Sequence, residues 1–280
     1  MSEANRQGGG AGRSPAPYMI NLVDVRLDDP RGGPPLVRGA NLGVAPGDVV
    51  LIIGAAGVGT SRFVAAALGE IAIAEGRLEI LGRDIGKLRR SSLRLIRRRI
   101  GIVPQDLCLL EDRSAQVNVM LPLEIDGIPR SVSIARAGLV LAQLGLESEA
   151  SLPVDCLGAA ERQRVAVARA LVREPDVVLA DHPTSMQDDA GTALVCATIA
   201  KAAARGAACI VLGRDPELRR FAERRGWRQL ELADASLRDA NGIEIDIDIE
   251  PAGLEAIPNV VPFPRSDTRP IARTAAGVIG

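Results

Sequence analysis

The chain has 280 residues, of which 47% are hydrophobic and 25% are charged, a composition typical of globular proteins. Its 34 Lys and Arg residues balance 35 Asp and Glu residues, and its three Phe, one Tyr and one Trp provide few rings for base stacking. The composition therefore argues against nucleic-acid binding. No stretch approaches the roughly 18 apolar residues of a membrane span, so we expect no direct membrane insertion.

The cysteines do not form a recognisable ligand or redox pattern. Cys108, Cys156, Cys196 and Cys209 show no C-x-x-C spacing, and the single histidine, His182, does not complete a metal-ligand motif. We expect buried, reduced thiols in a cytoplasmic protein.

The predicted elements begin after a leader, residues 1–17, which is rich in Gly, Ser and Pro and is predicted to be disordered. From residue 18 to 232, strands alternate with helices, which predicts an α/β domain with a mainly parallel sheet. Between residues 106 and 161 helical patterns dominate, which predicts an inserted helical subdomain. The predicted strands are residues 18–25, 36–44, 49–53, 76–81, 101–104, 177–180, 209–213 and 227–232.

The C-terminal extension, residues 233–280, differs in composition from the domain before it. Residues 243–250 alternate isoleucine with Glu or Asp, and a proline-rich stretch follows. This alternation is compatible both with disorder and with one added edge strand that carries a charged outer face.

A glycine-rich segment lies between a predicted buried strand and a predicted helix, which is the context of a phosphate-binding P-loop. Gly54, Gly57 and Gly59 have the required spacing, and Ser61 stands where a hydroxyl reaches Mg²⁺. Thr60, however, occupies the position of the lysine that holds the β- and γ-phosphates. Alone, this segment could equally be an ordinary glycine-rich turn.

Four downstream segments resemble the motifs of ATP-binding-cassette (ABC) ATPases. Residues 100–106 (IGIVPQD) resemble the Q-loop, and residues 157–171 (LGAAERQRVAVARAL) resemble the signature and its helix. Residues 177–188 (VVLADHPTSMQD) are similar to Walker B and the D-loop, and residues 210–215 (IVLGRD) to the switch region. The order and spacing of these motifs identify the chain as similar to this family across residues 18–232.

The family resemblance implies a P-loop NTPase fold, with a RecA-like α/β core, an antiparallel β edge and an inserted α-helical subdomain. It also implies ATP and Mg²⁺ as ligands. The implied nucleotide-binding positions are Gly54, Gly57, Gly59, Thr60, Ser61, Gln105 and Asp181, of which Ser61, Gln105 and Asp181 would hold Mg²⁺.

Within the family, residues 109–124 (LLEDRSAQVNVMLPLE) and the arginine-rich helix at residues 88–99 resemble the cell-division ATPase FtsE. This narrower resemblance implies a peripheral subunit at the cytoplasmic face of the cell membrane, with an FtsX-like integral membrane protein as its partner. We expect either a homodimer that no longer cycles or a monomeric adaptor. Lipoprotein-release and macrolide-export ATPases share part of the pattern, so such a system is an alternative.

Several positions depart from the family pattern in ways that weaken its chemistry. Thr60 removes the phosphate-binding ammonium, His182 replaces the glutamate that polarises water, and Arg214 replaces the switch histidine. The signature serine and glycines are replaced by Gly158, Ala159 and Ala160. Each oriented charge or donor lost from such a site typically costs about 2.7 to 4 kcal/mol, so hydrolysis is doubtful.

Three hypotheses about function follow. The first is a pseudo-ATPase that acts as scaffold or regulator, and the second is an ATP-binding subunit that hydrolyses slowly through the retained glycines, Ser61, Gln105 and Asp181. The third is an interaction protein whose ends, residues 1–17 and 235–280, do the binding.

His182 could accept a proton, but we expect a surface or interface residue because a base helps only where the γ-phosphate is held.

Overall fold

The computed structural model describes residues 18–54 and 60–239. Within them lie ten strands and seven α-helices. The strands are β1 (Ile20–Leu27), β2 (Val37–Val44), β3 (Val49–Gly54), β4 (Glu75–Ile80), β5 (Arg83–Asp84), β6 (Ile100–Val103), β7 (Val177–Asp181), β8 (Ala208–Leu212), β9 (Arg228–Ala233) and β10 (Ser236–Asp239). The helices are α1 (Thr60–Ala67), α2 (Arg90–Arg97), α3 (Ala115–Ile125), α4 (Arg130–Gln143), α5 (Ala159–Leu171), α6 (Asp189–Ala204) and α7 (Pro216–Arg225).

The larger sheet has six strands in the order β10-β9-β3-β8-β7-β6. Its inner strands pair in parallel, β3 with β8 and β9, and β7 with β6 and β8. Every residue of β7 and β8 is buried, as expected of strands covered by helices on both faces. The prediction of a mainly parallel sheet is confirmed.

The second sheet is antiparallel and has the order β2-β1-β4-β5. Strand β1 lies between β2 and β4 and pairs antiparallel with both. The larger sheet and its helices form a mainly parallel α/β core and the second sheet an antiparallel edge, so the predicted antiparallel β edge on a parallel core is confirmed.

Helices α3 and α4 lie in the segment where the strand signal lapses. The Ser114 hydroxyl caps α3 by accepting a hydrogen bond from the Val117 amide at 3.2 Å. Within this helix, the buried Asn118 side chain accepts a hydrogen bond from the Leu110 amide at 2.8 Å and donates to the Leu110 carbonyl at 2.9 Å. These side-chain bonds fix the chain that leads from the end of β6 into the helical region.

The core is divided between the two faces of the parallel sheet. Alternate residues of β3 point to opposite faces, as a strand requires. Val49 and Leu51 join a cluster with α3, α5 and α6, whereas Val50 and Ile52 join a cluster with α1, α2 and the antiparallel sheet. Strand β3 therefore packs against α3, α5 and α6 on one face and against α1, α2 and the antiparallel sheet on the other.

The six-stranded sheet includes residues of the predicted C-terminal extension, which was placed at residues 233–280. Strand β10 pairs antiparallel with β9, with Ser236 opposite Ala233 and Asp239 opposite Leu230. The leader at residues 1–17 and the acidic alternation at residues 243–250 lie outside the described residues. Among the helices that the structure does describe, none is both long and apolar enough to cross a bilayer.

The cysteines differ in exposure, and the expectation of four buried thiols is wrong. All four are free, but only Cys196 and Cys209 are buried, whereas Cys108, in a loop, and Cys156, at the end of a short 3-10 helix, are exposed. Burial raises the pKa of both Cys196 and Cys209 to about 12. The sequence pattern failed here because Cys108 and Cys156 lie outside the apolar strands and helices that bury the other two.

We expect the exposed thiols of Cys108 and Cys156 to react rapidly with a disulfide reagent at pH 8. The buried thiols of Cys196 and Cys209 should react only after unfolding. Cys108 donates a hydrogen bond to the Asp106 carboxylate at 3.0 Å, and this bond raises the pKa of its thiol. Because a raised pKa lowers the thiolate fraction at a given pH, the reaction at Cys108 should keep accelerating above pH 9. Stopped-flow titration of the folded chain, with Cys108→Ser and Cys156→Ser as controls, checks this order. Rapid reaction of either remaining thiol in the folded chain that carries both substitutions would contradict it.

Replacing Gly101 by Ala should destabilise the fold by about 1 to 3 kcal/mol. A methyl group at Gly101, in β6, would lie 2.4 Å from the Ala170 carbonyl oxygen and 2.8 Å from Pro175. The backbone of α5 would therefore have to move. Gly138, in α4, is a matched control because a methyl group there meets nothing within 4 Å, so Gly138→Ala should stabilise by up to about 1 kcal/mol. Urea unfolding measures both, and equal shifts would contradict this packing.

Candidate functional site

The predicted P-loop begins at the end of β3 and ends at the start of α1. Gly54 is the last residue of β3, and Thr60 is the first residue of α1. Gly57 and Gly59 lie outside the described residues. The flanking strand and helix have the arrangement that a P-loop requires, but the helix starts with an uncharged residue where the family has lysine.

Three predicted ligands lie along one cavity of about 830 Å³. Ser61 is in the first turn of α1, Gln105 follows β6, and Asp181 ends β7. The Ser61 hydroxyl donates to Gln105 Oε1 at 3.4 Å, and the Asp181 carboxylate lines the same space. They converge because the carboxyl ends of neighbouring parallel strands meet at one edge of the sheet.

The donor set fits Mg²⁺ better than it fits a triphosphate. A hydroxyl, an amide oxygen and a carboxylate are the hard oxygen ligands that Mg²⁺ takes in nucleotide sites, so Ser61, Gln105 and Asp181 would hold it. Thr60 offers no cation to a phosphate, and Glu70 and Asp106 add two carboxylates to the cavity. Among the described residues that line the cavity, Arg169 is the only cation, and its guanidinium donates to the carbonyls of Leu107 and Cys108.

His182 lies beside the Asp181 carboxylate, and its side chain is 21% exposed, so the expectation of a surface or interface residue stays a prediction. Its Nδ1 lies 2.8 Å from Asp181 Oδ1, and the Asp181 side chain is only 4% exposed. The His182 backbone has φ 51°, and its amide donates to the Leu212 carbonyl at 2.8 Å. The imidazole of His182 therefore contacts one of the two carboxylate oxygens of Asp181.

Gln163, in α5, connects the signature helix to the segment after β7. The side chain is buried, and its amide nitrogen donates to the His182 carbonyl at 2.9 Å and to the Ser185 hydroxyl at 3.0 Å. Its amide oxygen accepts from the Met186 amide at 3.1 Å and from the Gln187 side chain at 3.0 Å. Gln187 also donates to the Ala160 carbonyl at 2.8 Å, which closes the network.

Sequence reasoning missed the role of Gln163. The only signal was a polar residue within an otherwise apolar helical stripe of α5, and such a residue is buried only when its amide is satisfied.

The signature positions lie at an exposed helix N-terminus. Gly158 is the N-cap of α5, and its amide donates to Glu161 Oε2 at 2.8 Å. Gly158 and Ala159 are exposed, so this end of α5 is open to a second molecule. The hydroxyl that the family presents here is absent, and Glu161 places a negative charge beside the amides that would meet a phosphate.

Arg214, at the switch position after β8, does not reach Asp181. The side chain is exposed, and it forms no hydrogen bond or ion pair within residues 18–54 and 60–239. Arg214 and Asp181 therefore form no ion pair in this structure, in which His182 Nδ1 lies 2.8 Å from Asp181 Oδ1.

A family model described as "ABC transporter" matches residues 37–185, which include the motifs from Gly54 to Asp181. The chain belongs to the ABC transporter family. The match covers more than half of the chain and includes the inserted helices α3 and α4. The identification rests on this match together with the fold.

Two solved structures share the fold. The dimeric structure of MJ0796, a bacterial ABC transporter cassette, is 29% identical with a TM-score of 0.71 and covers 78% of this chain and 95% of that one. The same cassette in a post-hydrolysis state bound to ADP and Pi is 28% identical with a TM-score of 0.70, and the match covers 79% of this chain and 98% of that one.

Curated relatives of the chain include methionine import ATP-binding proteins. MetN of Brucella abortus (strain 2308) is 36% identical over 181 residues, 65% of this chain and 48% of the relative. MetN 2 of Enterococcus faecalis is 38% identical over 152 residues, 54% of this chain and 44% of the relative. The chain spans about half the length of these relatives. Their names support the ABC family and do not support the narrower resemblance to FtsE.

Proposed function

We propose that the chain is a pseudo-ATPase, an ABC subunit that acts as scaffold or regulator of an integral membrane protein without hydrolysing ATP. The observation that carries this proposal is the contact of His182 Nδ1 with Asp181 Oδ1 at 2.8 Å. The imidazole brings no carboxylate to polarise water, and it competes with Mg²⁺ for the Asp181 oxygen. Both effects oppose hydrolysis at the same point of the site.

The chain binds MgATP weakly in this proposal. Ser61, Gln105 and Asp181 supply oxygen ligands for Mg²⁺, and backbone amides can cradle a phosphate. Thr60 supplies none of the charge that a lysine gives, so a large part of the family's affinity for the β- and γ-phosphates is lost. These retained oxygens favour a second candidate, an ATP-binding subunit that hydrolyses slowly.

The proposed partner is a membrane subunit at the cytoplasmic face of the cell membrane. The dimeric cassette with the same fold supports a homodimer on such a partner. The names of the curated relatives favour the permease of an importer. The resemblance of residues 109–124 to FtsE favours an FtsX-like protein of the cell-division apparatus, or a lipoprotein-release-type system.

Co-expression of the tagged full chain with each class of membrane protein tests the scaffold role. We expect one of them to co-purify with the chain, and we expect Asp181→Asn to leave the yield of that complex unchanged, because assembly does not need a nucleotide cycle. Loss of the complex in Asp181→Asn, in a variant whose unfolding temperature matches the wild type, would show that nucleotide chemistry is required.

A further inference from the structure

The segment around α2 concentrates positive charge that the nucleotide site does not use. Residues 87–99 contain one lysine and six arginines and no acidic residue. Because the whole chain has a net charge of -1, all of its other residues together carry a net charge of -8. The chain is therefore unevenly charged, and this segment is attracted to anions that the rest of the chain repels.

Some of these cations have partners within the fold. Arg97 donates to the Leu68 carbonyl at 2.8 Å, Arg99 pairs with Asp176 at 2.6 Å, and Lys87 pairs with Asp84 at 3.0 Å. These three side chains are held by the cassette itself and are not available to a ligand.

The other four arginines, Arg89, Arg90, Arg94 and Arg98, are exposed and form what we call the α2 arginine face. Arg89, Arg90 and Arg94 form no hydrogen bond or ion pair with any residue in the described part of the chain. Arg98 has only a 3.7 Å contact with Asp126, and that carboxylate already pairs with Arg173 at 2.7 Å. The face therefore carries cations that the fold does not neutralise.

Helix α2 is amphipathic, with this face turned away from the protein. Leu93 and Ile96 are its buried residues. Positions 90, 94 and 98 follow one another at every fourth residue, so their side chains form a row about 6 Å apart on the outer side of the helix. A flat anionic surface can meet this whole row at once.

An apolar side chain lies on the same outer side. Leu95 follows Arg94 in the helix and is 41% exposed. Helices that lie on membrane surfaces combine cations with apolar side chains, which enter the boundary between headgroups and acyl chains. Leu95 therefore favours a lipid surface over water as the environment of this face.

The start of α2 adds to the demand for an anion. No acidic residue lies in its first turn, and its N-cap, Arg89, makes no side-chain cap. Arg89 and Arg90 place two cations beside the positive end of the helix dipole, which is the unfavourable arrangement. Anionic groups on the α2 arginine face would relieve this repulsion.

A lipid surface fits this face better than a nucleic acid does. Proteins that bind single strands combine cations with aromatic side chains on which bases stack, and no Phe, Tyr or Trp lies between residues 64 and 220. The membrane location that we propose for the chain supplies the other partner, because the cytoplasmic leaflet carries anionic headgroups that attract polybasic segments.

We propose that the α2 arginine face binds the anionic phospholipid headgroups of the membrane surface. Leu95 enters the headgroup region beside the arginines. Four cations give weak, salt-sensitive binding, so the face adds to the attachment that a membrane subunit provides and also orients the cassette on the bilayer. The inference does not depend on whether the cassette hydrolyses ATP.

Co-sedimentation of the full chain with vesicles tests this surface without any membrane subunit, so its failure is distinct from failure of the scaffold role. At about 0.05 M salt, wild type should bind vesicles of equal parts phosphatidylglycerol and phosphatidylcholine about 30- to 100-fold better than pure phosphatidylcholine vesicles. Raising the salt to about 0.5 M should abolish the difference, because the Debye length falls below the spacing of the arginines.

Charge reversal locates the binding on α2. The chain with Arg89→Glu, Arg90→Glu and Arg94→Glu should bind phosphatidylglycerol vesicles no better than neutral ones. The matched control reverses Arg31, Arg38 and Arg136, which are exposed and whose side chains form no hydrogen bond or ion pair in the described part of the chain. It has the same net charge and should bind within about threefold of wild type, because screening limits distant charges.

Two further variants separate a lipid contact from other effects. Leu95→Ser should weaken vesicle binding about three- to fivefold and leave its salt dependence unchanged, because it removes apolar burial and no charge. If the reversed chain does not fold, Gln at positions 89, 90 and 94 removes the charge without reversing it and should lower binding by at least about tenfold.

Equal binding of wild type to the two kinds of vesicle at low salt would overturn the proposal, as would unchanged binding in a folded chain with the three arginines reversed. If wild type ignored the vesicles but bound a polyuridine RNA through the same arginines, the face would belong to nucleic acid. If it ignored both, and reversal abolished co-purification with the membrane subunit in detergent, the face would belong to that protein.

Discussion

Phosphate release from MgATP should rise by about 10³- to 10⁵-fold when Thr60→Lys, His182→Glu, Gly158→Ser and Ala159→Gly are combined in one chain. The lysine restores the cation for the β- and γ-phosphates, and the glutamate restores a carboxylate that polarises water. The serine and glycine restore the hydroxyl and the first of the two glycines of the signature at the N-terminus of α5. All four are needed because a family site joins the P-loop of one subunit to the signature of another.

The fold has room for these changes. A methyl group at Gly158 would lie 3.6 Å from Glu161 Oε2, an ordinary contact. His182 already adopts φ 51°, so a glutamate there meets the same backbone cost. The His182 side chain is 21% exposed, which allows the replacement to turn toward solvent or substrate.

The control for this restoration is the same chain with His182→Gln instead of His182→Glu. Glutamine has the shape of glutamate without its charge, so the control should bind nucleotide in calorimetry and release phosphate slowly. If the glutamate and glutamine versions released phosphate at the same low rate, the loss of the carboxylate would not explain the inactivity.

Replacing Gln163 by Leu should destabilise the fold by about 2 to 3 kcal/mol. The substitution leaves the His182 carbonyl and the Met186 amide without the partners they have at 2.9 and 3.1 Å, in a part of the molecule where the side chain is 3% exposed. Chemical unfolding measures the loss. Backbone amide exchange at residues 182–188 should also accelerate, because Gln163 fixes that segment against α5.

The matched control for this prediction is Gln143→Leu. Gln143 is the last residue of α4, is only partly buried and makes no side-chain hydrogen bond within the described residues. Its replacement should change stability by less than about 0.5 kcal/mol. Similar losses for Gln143→Leu and Gln163→Leu would show that the network around Gln163 contributes nothing specific.

The architecture could be predicted because its signals are local in the chain. Apolar runs such as residues 177–180 and 209–213 are typical of strands buried on both faces, and their alternation with helices implies parallel pairing. Ser61, Gln105 and Asp181 were grouped by the family resemblance, and in the structure they line one cavity. The family resemblance supplied the antiparallel edge.

What could not be predicted depends on neighbours that are distant in sequence or on side-chain rotamers. The bond between His182 and Asp181 joins adjacent residues, but in a strand their side chains would point to opposite faces. It forms because His182 leaves the strand with a positive φ. The Gln163 network spans 19 to 24 residues, and no local pattern specifies its partners. The exposure of Cys108 likewise depends on the path of the loop after β6.

Phosphate release by the purified wild-type chain at saturating MgATP, compared with Asp181→Asn, tests the central claim most directly. Asp181 is the carboxylate that any hydrolysis at this site would need for Mg²⁺. The pseudo-ATPase account predicts release at the background rate, with no difference between the two proteins. Release by wild type that exceeds the Asp181→Asn rate by tenfold or more, about 1.4 kcal/mol in activation free energy, would contradict it.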